Sequence, residues 1–233
     1  MPTELAPARV AALATDDRDM TYYKAVRTDG TDFHTGTVRW LPEGTIPAEG
    51  WLVTHPTATT IGPKADAYLS AATVAADCTG MMWPCRLLAV EVVGEVTTPE
   101  SGLPYKRASA SWRVVAELPA HEALGPQGAE VAALLARAAR LTPDEVSAWD
   151  AAWNVVPASA QNSAWNAAWR VAWEAGRYAA WEAVWDAAWD VTRDATRNAA
   201  REAALGILVR DLISPEAYNL LAGPWHSVIG EPT

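Results

Sequence analysis

Two cysteines, Cys78 and Cys85, and one phenylalanine are all that this chain of 233 residues has of either type. Two cysteines do not make a disulfide framework, so an apolar core must hold the fold, and the reading is a cytoplasmic protein with reduced thiols. No apolar run is long enough to span a bilayer. The opening MPTELAPARVAALATDDRDM carries acids where a secretory leader has a basic segment and an apolar centre, so no signal peptide is expected. Basic residues number 18 against 28 acidic ones, a net charge of −10. That balance argues against a sequence-independent grip on nucleic-acid phosphates. It suits a basic partner, including one that would accept the acidic surface as a nucleic-acid mimic. A phosphate-cradling glycine loop, a GxGxxG turn and a Ser–His–Asp signature are all missing from the sequence. His34, His55, Cys78 and Cys85 match no zinc-site spacing, so no metal is expected.

What the chain has instead is tryptophan, thirteen in all. Most fall between Trp149 and Ala204, where the sequence reads in fours: Trp or Arg, then an acid or Asn, then two small residues. Alanine favours helix, and the stretch has no proline from Ser163 to Ile213, so one long helix, or two broken near Gly176, is expected. At ~100° per residue a four-residue repeat drifts by ~40° per tetrad, so Trp165, Trp169, Trp173, Trp181, Trp185 and Trp189 wind around the helix. They are expected to fill the space between helices while the alanines let backbones approach. Arg177, Arg193, Arg197 and Arg201 take the tryptophan slot, and these turns are expected to reach solvent, with the arginines paired to acids or stacked on Trp. A ribbon of this width is expected to need a partner protein or a second copy of the chain, so the Trp row with Arg193, Arg197 and Arg201 is the candidate interaction surface.

Before the repeat the pattern changes. Residues 1–19 read as an arm, and 20–119 as an α+β module of short strands with turns. Thr21–Arg27, Gly36–Trp40, Trp51–Thr54, Arg86–Val96 and Arg107–Leu118 are strand candidates. Lys64–Cys78 has helical spacing through Ala67, Leu69, Ala72, Val74 and Ala75. Residues 120–233 form the Ala/Trp-rich helical region. Helices are expected over Ala129–Arg140 and from Pro143 to Val156, the latter opened by the capping box Thr142-Pro143-Asp144-Glu145. Another starts at Ser214-Pro215 and is expected to stop at Gly223-Pro224. The fold class is therefore α+β.

The segments YKAVRTDGTDFHTGTVRW, VTHP, CRLLAVEVVGEV and KRASASWRVVAELP, with LVRDLISPEAYNLLAGPW at the end, resemble a family of actinobacterial and bacteriophage proteins. In that family a small α+β module precedes an Ala-rich repeat tail, and it implies no activity. The order TYYKAVR, AYLSAAT and LLAVEVV is similar to the ADP-ribosyltransferase fold. That likeness implies an aromatic stacked on nicotinamide and a carboxylate beside an oxocarbenium-like transition state, roles for Tyr68, Ser70 and Glu91 with NAD as cofactor. Lys24 departs from it, standing where that fold carries histidine or arginine. The expectation is a non-enzymatic interaction or structural protein without cofactor, with NAD-dependent ADP-ribosyl transfer as the alternative.

Overall fold

The computed structural model describes residues 20–57, 61–62, 67–78, 80–99, 103–191 and 194–230, with backbone alone for 190–191 and 194–199. The arm expected over 1–19 lies outside the described residues, as do Arg193 and the side chain of Arg197.

Six strands and six α-helices follow one another in that order, an α+β chain. The strands are β1 Tyr22–Val26, β2 Trp51–Thr54, β3 Leu69–Ala72, β4 Arg86–Val92, β5 Lys106–Ser109 and β6 Ser111–Leu118. They form one sheet in the order β2-β6-β4-β1-β3-β5, antiparallel at every pairing. Alternation along the strands divides the side chains between two faces. Tyr22, Val26, Leu88, Val90, Trp112 and Val114 pack on one face beneath Trp40 and Leu41 of the loop after β1. Ala25, Ala72 and Leu87 belong to a second core that continues into the helices.

Three expectations for the module change. Lys64–Cys78 is no helix: its described part is β3 followed by a 3₁₀ turn, Ala75–Asp77. Leu69 and Ala71 sit in one core and Ala72 in the other, a strand's alternation. Pairing of β3 with β5 over four residues overrides the helical preference of its alanines. Gly36–Trp40 is not a strand, and the chain there makes a single bridge, Thr31 to Arg39. Asp32 takes the local donors that a ladder would use, accepting from the Thr35 and Val38 amides and the Thr35 hydroxyl. The expected strand Arg107–Leu118 divides at Ala110 into β5 and β6.

The helices are α1 Gly128–Ala138, α2 Pro143–Asn154, α3 Ala158–Glu174, α4 Tyr178–Val191, α5 Asp194–Leu208 and α6 Pro215–Val228. The Thr142 capping box is present: the Thr142 hydroxyl accepts from the Glu145 amide, and the Glu145 carboxylate accepts from the Thr142 amide. The tetrad repeat is divided among α2 to α5. The break at Gly176 has a backbone cause, φ +67°, which a side chain adopts only with strain. The Tyr105 hydroxyl donates to the Glu174 carbonyl at 3.0 Å, satisfying the end of α3 from the sheet. α6 runs through Gly223-Pro224 rather than stopping there. Leu221, Ala222 and Trp225 are buried on it, and that packing outweighs the proline's missing donor.

The core slot of the repeat is not tryptophan but the fourth position. Ala164, Ala168, Ala172, Ala180, Ala188 and Ala204 are all buried. Trp165, Trp181 and Trp185 are half-buried, and Trp169, Trp173 and Trp189 are 37%, 43% and 51% exposed. Backbones that meet through alanine come too close for an indole between them, so the rings are displaced to the flank. Among the tetrad positions only Trp149 is a fully buried ring; it meets Trp225 edge to face at 5.2 Å.

The two arginine turns whose side chains are described, Arg177 and Arg201, do not reach solvent as expected, although Arg201 does stack on Trp. Arg177 is buried, holds Asp211 through two hydrogen bonds of 2.6 and 2.7 Å, and donates to the Leu208 carbonyl. Arg201 is buried too, its guanidinium 3.8 Å from the Trp185 ring centroid and 4.7 Å from that of Trp189. Each replaces a ring where a charge can be satisfied at a helix corner or between two indoles.

Candidate functional site

A hollow lies on the sheet where β1 and β3 separate. These strands register at Tyr23↔Ala72 alone, whereas β1 and β4 register at five positions. A cleft of about 470 Å³ opens there. Its floor includes Lys24 and Ala25 of β1 with Tyr68, Leu69 and Ser70 at the start of β3. Lys106, from β5, also lines it.

One wall is the loop after β1. Gly30, at φ +83°, turns the chain, and its carbonyl accepts from the Trp40 amide. Asp32 is buried within this loop and fixes its tip through Thr35 and Val38. Burial alone would raise the Asp32 carboxyl, but those hydrogen bonds and the charge of Lys24 outweigh it and hold the group ionised below the usual range. Phe33, His34, Thr37 and Trp40 face the cleft from the same loop, and His55 and Thr57 approach from the end of β2. Across the sheet the Trp112 indole donates to the Leu69 carbonyl at 3.1 Å, which pins the entry of β3 beside the cleft.

Two lysines give the cleft its character, and each lies against an aromatic ring. The Lys24 ammonium is 4.9 Å from the Trp40 ring centroid, and that of Lys106 is 5.7 Å from the Tyr68 centroid. Neither has an ion pair or hydrogen bond among the described residues. Burial pushes Lys24 down to about 8; the Cys78 thiol and Asp32 oppose the shift, and Lys106 adds to it. Burial lowers Lys106 as well. Such groups can accept an anion, or a carbonyl carbon when the amine is neutral.

No protein-family model matches this chain, and no curated protein or solved structure matches it. The cleft is therefore read from its own geometry. Of the residues singled out in the sequence, Tyr68 and Ser70 line it and Glu91 does not. Glu91 lies on β4 opposite Arg113 of β6. His34 and His55 share the cleft, whereas Cys78 and Cys85 are free thiols buried in the core toward the helices. Burial pushes those thiols up to about 12 and about 11. Among the described residues no group of three potential ligands gathers around a metal position.

The sequence reading passed over Lys24 as a ligand-binding group and Lys106 altogether. A compositional signal was present, since three of the 18 basic residues are lysine and two of those three line the cleft.

The tryptophan row forms a second feature. Trp169, Trp173 and Tyr178 lie within 6.5 Å of one another, and Tyr178 leads to Trp181 at 5.6 Å and on to Trp185 at 5.4 Å. Trp165 joins at Trp181, and Arg201 joins Trp185 to Trp189. Seven rings thus make one continuous face on α3 and α4. No helix among the described residues is long and apolar enough to cross a membrane.

Proposed function

We propose that this protein is a binding module whose cleft between β1 and β3 holds a small anionic ligand, a phosphorylated compound with a planar ring. The observation that carries this reading is the state of the two cleft lysines. In a chain of net charge −10, both stand over aromatic rings rather than against carboxylates. The one carboxylate among the described residues that line the cleft, Asp32, is occupied by its own loop. A phosphate between Lys24 and Lys106 supplies the anion that neither lysine contacts among the described residues, and the Ser70 hydroxyl adds a donor. Phe33 offers apolar surface for a ring, in a volume within the usual range for small-molecule sites.

The test is the thermal midpoint of the whole protein with inorganic phosphate, AMP, NAD and adenosine at millimolar concentration. A ligand that binds only the folded state raises the midpoint, by about 2.7 kcal/mol of stability at a hundredfold excess over Kd. Phosphate and AMP are expected to raise it and adenosine to have little effect, with Lys24→Gln and Lys106→Gln each reducing the AMP shift. Absence of a shift with all three anions overturns the reading. NAD serves as the arm for ADP-ribosyl transfer: a saturable shift with NAD and none with phosphate or AMP favours that chemistry instead.

A further inference from the structure

We infer that Lys24 is a covalent capture residue, which forms a reversible imine with the carbonyl group of a small anionic aldehyde or ketone held in the cleft by Lys106. This rests on the anion-binding reading and names the chemistry of the ligand. Three observations lead to it. Lys24 lines a cleft open to small molecules while making no ion pair or hydrogen bond among the described residues. Its ammonium is instead placed over the Trp40 ring, which holds the side chain without consuming the nitrogen lone pair once the proton has gone. The groups around it are asymmetric: Asp32 is tied into its own loop, and Lys106 is a second cation in the same cleft. An incoming anion therefore pairs with Lys106 and leaves Lys24 to its carbonyl end.

The lowered proton affinity of Lys24 suits this role, because an amine near 8 has an appreciable neutral fraction at physiological pH. In the step itself the neutral Lys24 Nζ adds to the carbonyl carbon and the new C–N bond forms. The carbonyl oxygen takes the proton that nitrogen gives up, which yields a carbinolamine. That hydroxyl leaves as water after taking one more proton, from the solvent to which the cleft is open, and a protonated C=N bond remains. Water is the only product released, and hydrolysis reverses the capture.

The scarcity of lysine makes the test direct, since Lys24, Lys64 and Lys106 are the only three in the chain. The intact protein is incubated with pyridoxal 5′-phosphate, which carries aldehyde, phosphate and ring, then reduced with borohydride and mapped by peptide mass. Lys24 is expected to carry the adduct at a rate on the order of tenfold above Lys64. Excess inorganic phosphate is expected to slow Lys24 and leave Lys64 unchanged, and Lys106→Gln to slow Lys24 while it still reacts. Lys24 reacting no faster than Lys64, or Lys106 carrying the adduct, overturns the inference. Thermal stabilisation by phosphate without an adduct at Lys24 overturns the imine and leaves the anion cleft standing. Equal labelling of Lys24 by benzaldehyde, unaffected by phosphate, overturns the anion requirement. Every overturning outcome can be read on the wild-type protein, so a failure of Lys106→Gln to fold does not obscure the result.

Discussion

Glu202, on α5, has one carboxylate oxygen buried without a hydrogen-bond partner among the described residues. Burial raises the group to about 7, and the neighbouring charge of Arg201 opposes the rise without cancelling it. A carboxyl with a folded-state value above its unfolded value binds its proton more tightly in the native state. Its contribution to stability is therefore complete below about 4.5 and is lost as pH rises through about 7. Glu202→Gln, which cannot ionise, is expected to unfold at higher urea than wild type at pH 8, by on the order of 1–3 kcal/mol, with the gap closing by pH 5. Equal gaps at the two pH values count against a buried carboxylate. Nothing in the tetrad pattern marks this residue, because Glu202 occupies the same polar slot as the exposed Glu182 and Asp186. Lys24 was illegible for a related reason. Its role depends on Trp40, Asp32 and Lys106, which the sheet brings together from separate segments, and no local spacing records that meeting.

At the scale of elements, the repeat was legible as helix because alanine dominates it and two of its breaks fall at residues with a backbone cause. Pro157 separates α2 from α3, and Gly176 separates α3 from α4. Which slot forms the core was not legible. Side-chain size suggested tryptophan, yet helices drawn together through alanine exclude the larger ring, so the rule of burying the most apolar side chain gave way to close approach. Lys64–Cys78 failed differently: its small residues fit both periods, and only the pairing of β3 with β5 decides between them. Two substitutions test the helical elements. A Cβ at Gly176 would lie 2.8 Å from the Tyr105 ring, at a φ side chains rarely adopt. Gly176→Ala is thus expected to cost roughly 1–3 kcal/mol in urea unfolding. Ala183→Leu, at a position 1% exposed, is expected to cost a similar ~1–3 kcal/mol by overpacking. A neutral Ala183→Leu means the helices do not meet through the small slots.

Across the whole molecule, the two halves of the sequence share a core. Ala25, Ala72 and Leu87 of the sheet belong to the same buried cluster as Leu134, Val184 and Leu205 of the helices. Asp77, after β3, accepts from the Ala179 amide in the first turn of α4, and Tyr105 holds the end of α3. The helices thereby turn their alanine sides inward and leave the seven-ring face of α3 and α4 outward. Folding the repeat back on itself has covered half of the ribbon but not Trp169, Trp173 and Trp189. These exposed indoles form an apolar patch, and the commonest way to cover one is a twofold pairing with itself. The carboxylates of Glu174, Glu182 and Asp186 border the face. They repel across a symmetric contact, so the association is expected to be modest and to strengthen as salt screens them. Sedimentation at increasing concentration is expected to show a monomer–dimer equilibrium in the micromolar range, shifted toward dimer by added salt and toward monomer by Trp169→Gln with Trp173→Gln. A monomeric mass on the order of tenfold above that range, at high salt, would exclude self-pairing and leave the aromatic face for a partner of opposite charge.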